Sequence, residues 1–114
     1  MTVIYGIPTC GTVKKARAWL DKNGIDYRFH DLREDGVTEQ QIKRWMKSFG
    51  WAALVNKHSK TWRELPQKDR QAIDEKKALK LMLKAPTLIK RPVLEHGKAR
   101  LLAFDESEYK KVFR

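Results

Sequence analysis

Two strand-like runs flank a helical one within the first 32 residues, and this order leaves few folds open. Val3, Ile4 and Tyr5 favour a strand and Gly6 stops the run. Pro8-Thr9-Cys10-Gly11 reads as a turn. Ala16, Trp19 and Leu20 stand at helical spacing, so a helix is predicted to about Asn23, with Gly24 as its stop. Ile25, Tyr27 and Phe29 alternate with polar neighbours and predict a second strand ending at Leu32. Strand, helix and strand at this spacing form a βαβ unit, whose two strands run parallel.

The other end of the chain reads differently. Pro92-Val93-Leu94-Glu95 starts a strand, because proline is tolerated at a strand's first residue but not at its centre. His96-Gly97-Lys98 suits a turn, and Arg100 to Phe104 predicts the returning strand of a hairpin. Asp105 is placed to cap a last helix carrying Tyr109, Val112 and Phe113. Between the halves, Thr38 and Gln41 have the spacing of a capping box. The helix they open carries Ile42, Trp45, Met46 and Phe49 and stops at Gly50. Residues 51–66 have no decisive pattern, and Asp69 to Lys84 reads as one or two helices. The order βαβ, helices, ββα predicts an α/β, thioredoxin-like (glutaredoxin-like) fold with a helical insertion over about 37–91, in one domain spanning 1–114.

A chain of 114 residues supports one such core. The longest apolar run, Trp51 to Val55, is too short to span a bilayer, and the N-terminus lacks the basic and apolar regions of a signal peptide. With one cysteine, Cys10, neither an internal disulfide nor a Cys-rich zinc site can form. His30, His58 and His96 share no ligand spacing, so no metal is expected. These features predict a cytoplasmic protein with no membrane association. The formal net charge is +11, and it is unevenly spread: residues 37–91 hold 14 basic against 5 acidic residues, while the flanking segments are each near +1. Such a segment is either a lysine-rich solvated face or a docking surface for an acidic partner. Nucleic acid is not expected, because no reader motif accompanies the charge.

Cys10 is predicted between a strand and the first turn of a helix. The N–H groups of that turn have no partners within the helix, and the helix dipole favours negative charge there. A thiol so placed loses its proton more readily than a free one. Lys14, one turn on, adds positive charge. The alternative for a free cysteine is a small buried residue. Val13 stands where a Cys-x-x-Cys motif would have its resolving thiol, so any adduct on Cys10 must be resolved by an external thiol, of which glutathione or a glutaredoxin is the expected supplier. Thr12 either donates to the thiolate or simply occupies the first turn.

The segment Ile4-Tyr5-Gly6-Ile7-Pro8-Thr9-Cys10-Gly11-Thr12 resembles the active-site segment of the ArsC-like proteins, which include glutaredoxin-linked arsenate reductases, Spx transcription regulators and YffB-like proteins. Pro86-Thr87-Leu88-Ile89-Lys90-Arg91-Pro92-Val93 resembles the family's Pro-x-Leu-Ile-x-Arg-Pro segment. The resemblance spans essentially the whole chain and sits nearest the YffB-like members. It implies that Cys10 is the nucleophile, that Pro92 follows a cis bond and that Arg91 faces the cysteine, where it could hold an oxyanion or carboxylate by paired hydrogen bonds. Arg91, Pro92, Thr12 and Lys14 form the implied thiol-binding set.

The departures narrow the expectation. Arsenate reductases of the family usually carry His where Gly6 stands, Arg where Lys14 and Asn56 stand, and Gly-Arg-Pro where Ala103-Phe104-Asp105 stands. Of the family's anion-binding arginines only Arg91 persists, which implies at most weak arsenate reduction. Val13 removes the disulfide switch typical of oxidant-sensing Spx proteins. The reading is therefore a thiol reductase with one nucleophilic cysteine, no bound cofactor, and glutathione as co-substrate. The alternative is a non-catalytic, Spx-like protein whose basic insertion docks an acidic partner such as RNA polymerase.

Overall fold

In the computed structural model, which describes residues 1–113, Thr2–Gly6 forms β1 and Gly11–Lys22 forms α1. β2 is Arg28–Asp31, shorter than the predicted Ile25–Leu32. The chain turns at Gly24, which takes the left-handed φ of +67° that glycine allows, and Ile25 donates its N–H back to the Leu20 carbonyl instead of pairing in the sheet. The apolar alternation through Ile25 and Tyr27 therefore serves packing on α1 before the strand begins. β3 (Val93–His96) and β4 (Ala99–Leu102) form the predicted hairpin, with the turn at Gly97, and α7 (Glu106–Val112) follows. The sheet order is β2-β1-β3-β4, with β1 and β2 parallel and the other pairs antiparallel. This is the thioredoxin-like arrangement expected from the element order.

The chain divides into two compact units, 1–35 with 91–114, and 36–90. In the first, Ile4, Phe29, Leu94 and Leu101 stand in one cross-strand row. Ala16 and Leu20 of α1 and Tyr109 of α7 pack on that row, with Trp19, Phe104 and Phe113 around Tyr109. Asp105 caps α7 as predicted, its carboxylate accepting from the Ser107 N–H and hydroxyl. Ala103 bends the chain between β4 and α7 at a φ of +64°, and its N–H donates to the Pro92 carbonyl at 2.8 Å.

Tyr109 is fully buried, which raises its pKa, and its hydroxyl has no hydrogen-bond partner among the described residues. A buried hydroxyl without a partner carries a desolvation penalty of about 1–3 kcal/mol. Tyr109→Phe keeps the ring contacts and removes that penalty, so thermal unfolding of this variant is expected at or above the wild-type midpoint. A lower midpoint would show that the hydroxyl is needed.

The second unit is helical. Thr38 and Gln41 form the predicted capping box at the start of α2 (Glu39–Phe49), and Gly50 ends that helix. The stretch without a sequence pattern contains α3 (Trp51–Leu54) and α4 (Lys60–Glu64). Asp69 to Lys84 belongs to two helices, α5 (Gln67–Gln71) and α6 (Glu75–Lys84), because Asp74 breaks the run by capping α6 through the Lys77 N–H. Trp45, Ile42, Leu54, Ala78, Met82 and Leu88 are fully buried. An isolated bridge from Val55 to Ile89 and the bond from the Lys90 N–H to the Leu54 carbonyl return the chain from this unit.

Candidate functional site

The site lies where β1 hands over to α1. Pro8 and Thr9 turn the chain, and the Cys10 N–H closes that turn on the Ile7 carbonyl at 3.1 Å. Cys10 itself is the N-cap residue of α1, with extended backbone angles (φ −75°, ψ 126°). Its carbonyl accepts the Lys14 N–H at 3.0 Å, which starts the helical ladder. Its side chain is therefore placed over the first turn, whose N–H groups have no carbonyl to bond.

The backbone N–H groups of Val13 and Thr12 in the open first turn and the side chain of Arg91 all favour the thiolate, although the Cys10 side chain closes no cap bond on the helix. Burial is the largest single influence on the thiol and pushes its pKa up. The two N–H groups, the Arg91 bond and the Arg91 charge together outweigh burial and hold the thiol below its ordinary value. Cys10 is half-buried rather than enclosed in the core. A thiolate held by fixed donors is a nucleophile toward disulfides and oxidised centres.

The Arg91–Pro92 peptide is cis, as the resemblance implied, and Pro92 is buried at the entry to β3. Of the expected site residues, Cys10, Thr12 and Arg91 come together, and Pro92 follows Arg91 in the chain. Thr12 contributes its backbone N–H, while the residue itself is exposed. Lys14 is exposed on α1, and the charge acting on the thiol is that of Arg91. Two residues noted in the sequence only for what they replace also belong here. Val13 supplies an N–H that favours the thiolate while its side chain is fully buried, and Gly6 lies beneath that side chain. Among the described residues no cluster of histidine, cysteine and carboxylate side chains fits a metal.

The ArsC family model matches residues 5–112. The chain belongs to the ArsC family. Within that family, this chain is 44% identical to an uncharacterized protein of Haemophilus influenzae over 114 residues, covering 99% of each. A solved YffB protein superposes on this ArsC-family chain with a TM-score of 0.97 at 39% identity, over the whole of both chains. The global transcriptional regulator Spx 2 of Bacillus anthracis is 26% identical over 97% of this chain and 86% of the regulator. Among the described residues no helix is long and apolar enough to cross a membrane.

Proposed function

We propose that this ArsC-family chain is a thiol-dependent reductase in which Cys10 is the sole nucleophile and an external thiol, glutathione or a glutaredoxin, completes the cycle. The observation that carries this reading is the half-buried Cys10, whose thiolate is favoured by two backbone N–H groups and Arg91. The Cys10 thiolate attacks one sulfur of a disulfide. A Cys10–sulfur bond forms, the original S–S bond breaks, and the other sulfur departs as a thiolate that takes up a proton. A second thiol, as its thiolate, attacks the mixed disulfide and regenerates the Cys10 thiolate. Across the cycle one external thiol is consumed: one sulfur of the original disulfide is released as a thiol, and the other leaves Cys10 in a new disulfide with the attacking thiol. No bound cofactor is required. Arg91 carries the planar fork that suits a carboxylate on the thiol donor.

Incubation with oxidised glutathione, followed by intact-mass measurement, is expected to show one glutathione adduct, mapped to Cys10 and removed by excess reduced glutathione. Alkylation of Cys10 against pH is expected to titrate below the free-thiol value of about 8.5. An ordinary thiol midpoint with no adduct would sink the reductase reading.

The lysine face of α6 supports a second reading, that of a binding protein. Lys76, Lys80 and Lys84 recur every four residues and are exposed, so they form a stripe along one side of the helix. Lys77 does not share that role, because its ammonium bonds the Lys68 carbonyl and pairs with Asp69 at 3.4 Å. On this reading the stripe docks an acidic protein surface, as the Spx resemblance implies for RNA polymerase. Capture of acidic partners should fall by roughly tenfold or more in a Lys76→Glu/Lys80→Glu/Lys84→Glu variant at low salt, since reversing close charges weakens association steeply. Equal capture by variant and wild type would remove this reading. Arsenate is a third and weaker candidate substrate, because an oxyanion needs several fixed donors and Arg91 is the arginine that reaches the thiol.

A further inference from the structure

Gly6 ends β1 with no side chain, and Val13 fills the space above it. A methyl group built on Gly6 would lie 2.7 Å from Cγ2 of Val13 and 3.1 Å from Cγ1, closer than packed carbon atoms tolerate. Val13 is fully buried and Gly6 is buried, so neither can give way into solvent. The Gly6 carbonyl is also held, accepting the Leu32 N–H at 2.9 Å. The same Val13 that fits against Gly6 is the third residue of α1, and its N–H, in the first turn that Cys10 caps, favours the Cys10 thiolate. Valine is stiff at χ1 in a helix, so a fixed side chain fixes its backbone as well.

We propose that Gly6 and Val13 act as a positioning pair for Cys10, in which the bare Cα of Gly6 seats the Val13 side chain and so aims the Val13 N–H at the sulfur. Neither residue touches a substrate in this scheme. The inference deepens the reductase reading and rests on it.

The experiment is a double-variant cycle on the full chain: Gly6→Ala, Val13→Ala and both together. Each is read by the pH midpoint of Cys10 alkylation and by thermal unfolding. Gly6→Ala forces Val13 away and should lower the alkylation rate at pH 6.5 by roughly threefold to tenfold, a tenfold fall being one unit in the midpoint. Val13→Ala opens a gap and should lower the rate in the same direction by less. The double variant refills the gap from the Gly6 side and should recover a rate within about twofold of wild type, so the two changes are strongly non-additive. If Gly6→Ala does not fold, Val13→Ala against the double variant still makes the comparison. A thiol midpoint that stays at the wild-type value in every folded variant, while only the unfolding temperature moves, would overturn the positioning role. A wild-type midpoint that is already ordinary would instead overturn the reductase reading itself, so the two failures are distinct.

Discussion

Cys10→Ser is expected to abolish disulfide reduction, a loss on the order of 10³-fold or more in turnover, as removal of a nucleophile acting in a concerted site produces. The hydroxyl that replaces the thiol is not ionised at neutral pH, whatever donors surround it, so no mixed disulfide can form. The measurement is turnover of a small disulfide or of a glutathione-mixed disulfide with excess reduced glutathione. Turnover within tenfold of wild type would show that Cys10 is not the nucleophile. The same variant gives a second readout. The folded thiol titrates below its unfolded value of about 8.5. Thiolate contacts therefore stabilise the fold fully above the unfolded pKa, and that contribution is lost as pH falls through the folded pKa. The stability advantage of wild type over Cys10→Ser should grow as pH rises through this window and level off above about 8.5.

Arg91→Ala has the second-largest expected effect. Arg91 is half-buried, bonds the Cys10 sulfur and contributes its charge to the thiolate. Loss of one hydrogen bond to a charged group, worth about 1.5–3 kcal/mol, corresponds to roughly a tenfold to hundredfold fall in the rate at neutral pH. The thiol midpoint should move up toward its ordinary value, so activity should recover in part as the pH is raised. Arg91→Lys keeps the charge and loses the fork. Its midpoint should lie between those of Ala and wild type, with a larger proportional effect on the KM for the thiol donor. A midpoint unchanged in Arg91→Ala would separate Arg91 from the thiolate and leave the backbone N–H groups as its support.

The parts of the fold that could be read from sequence are those fixed by local chemistry. The Thr38–Gln41 capping box, the Asp105 cap and the Gly24 and Gly50 helix stops each depend on residues within one turn of one another. Cys10 at a helix N-terminus was equally legible, because the strand, turn and helix follow in sequence. The cis Arg91–Pro92 bond came from resemblance, since no local pattern around a proline fixes its isomer. Longer-range facts were not legible. Ile25 and Tyr27 have strand alternation, yet their alternation packs a connection rather than pairing. Spacing placed Lys14 near the thiol, whereas Arg91 was placed there only by resemblance, and the fold brings the arginine to the sulfur from some eighty residues away in the chain. The contact of Val13 with Gly6 crosses from a helix to the preceding strand, and its signal in sequence is no more than a small residue before the turn and a branched one after it.

The donors around Cys10 also govern how a bond to its sulfur breaks. Every contact that stabilises the thiolate is gained again when Cys10 departs from a mixed disulfide, and a thiol of low pKa is the better leaving group. An adduct on Cys10 is therefore poised for attack by whatever thiol arrives. A chain with no second cysteine has no internal means of clearing that adduct. On the reductase reading, turnover depends on the adduct being easy to displace, and the N-terminus of α1 with Arg91 would supply that property.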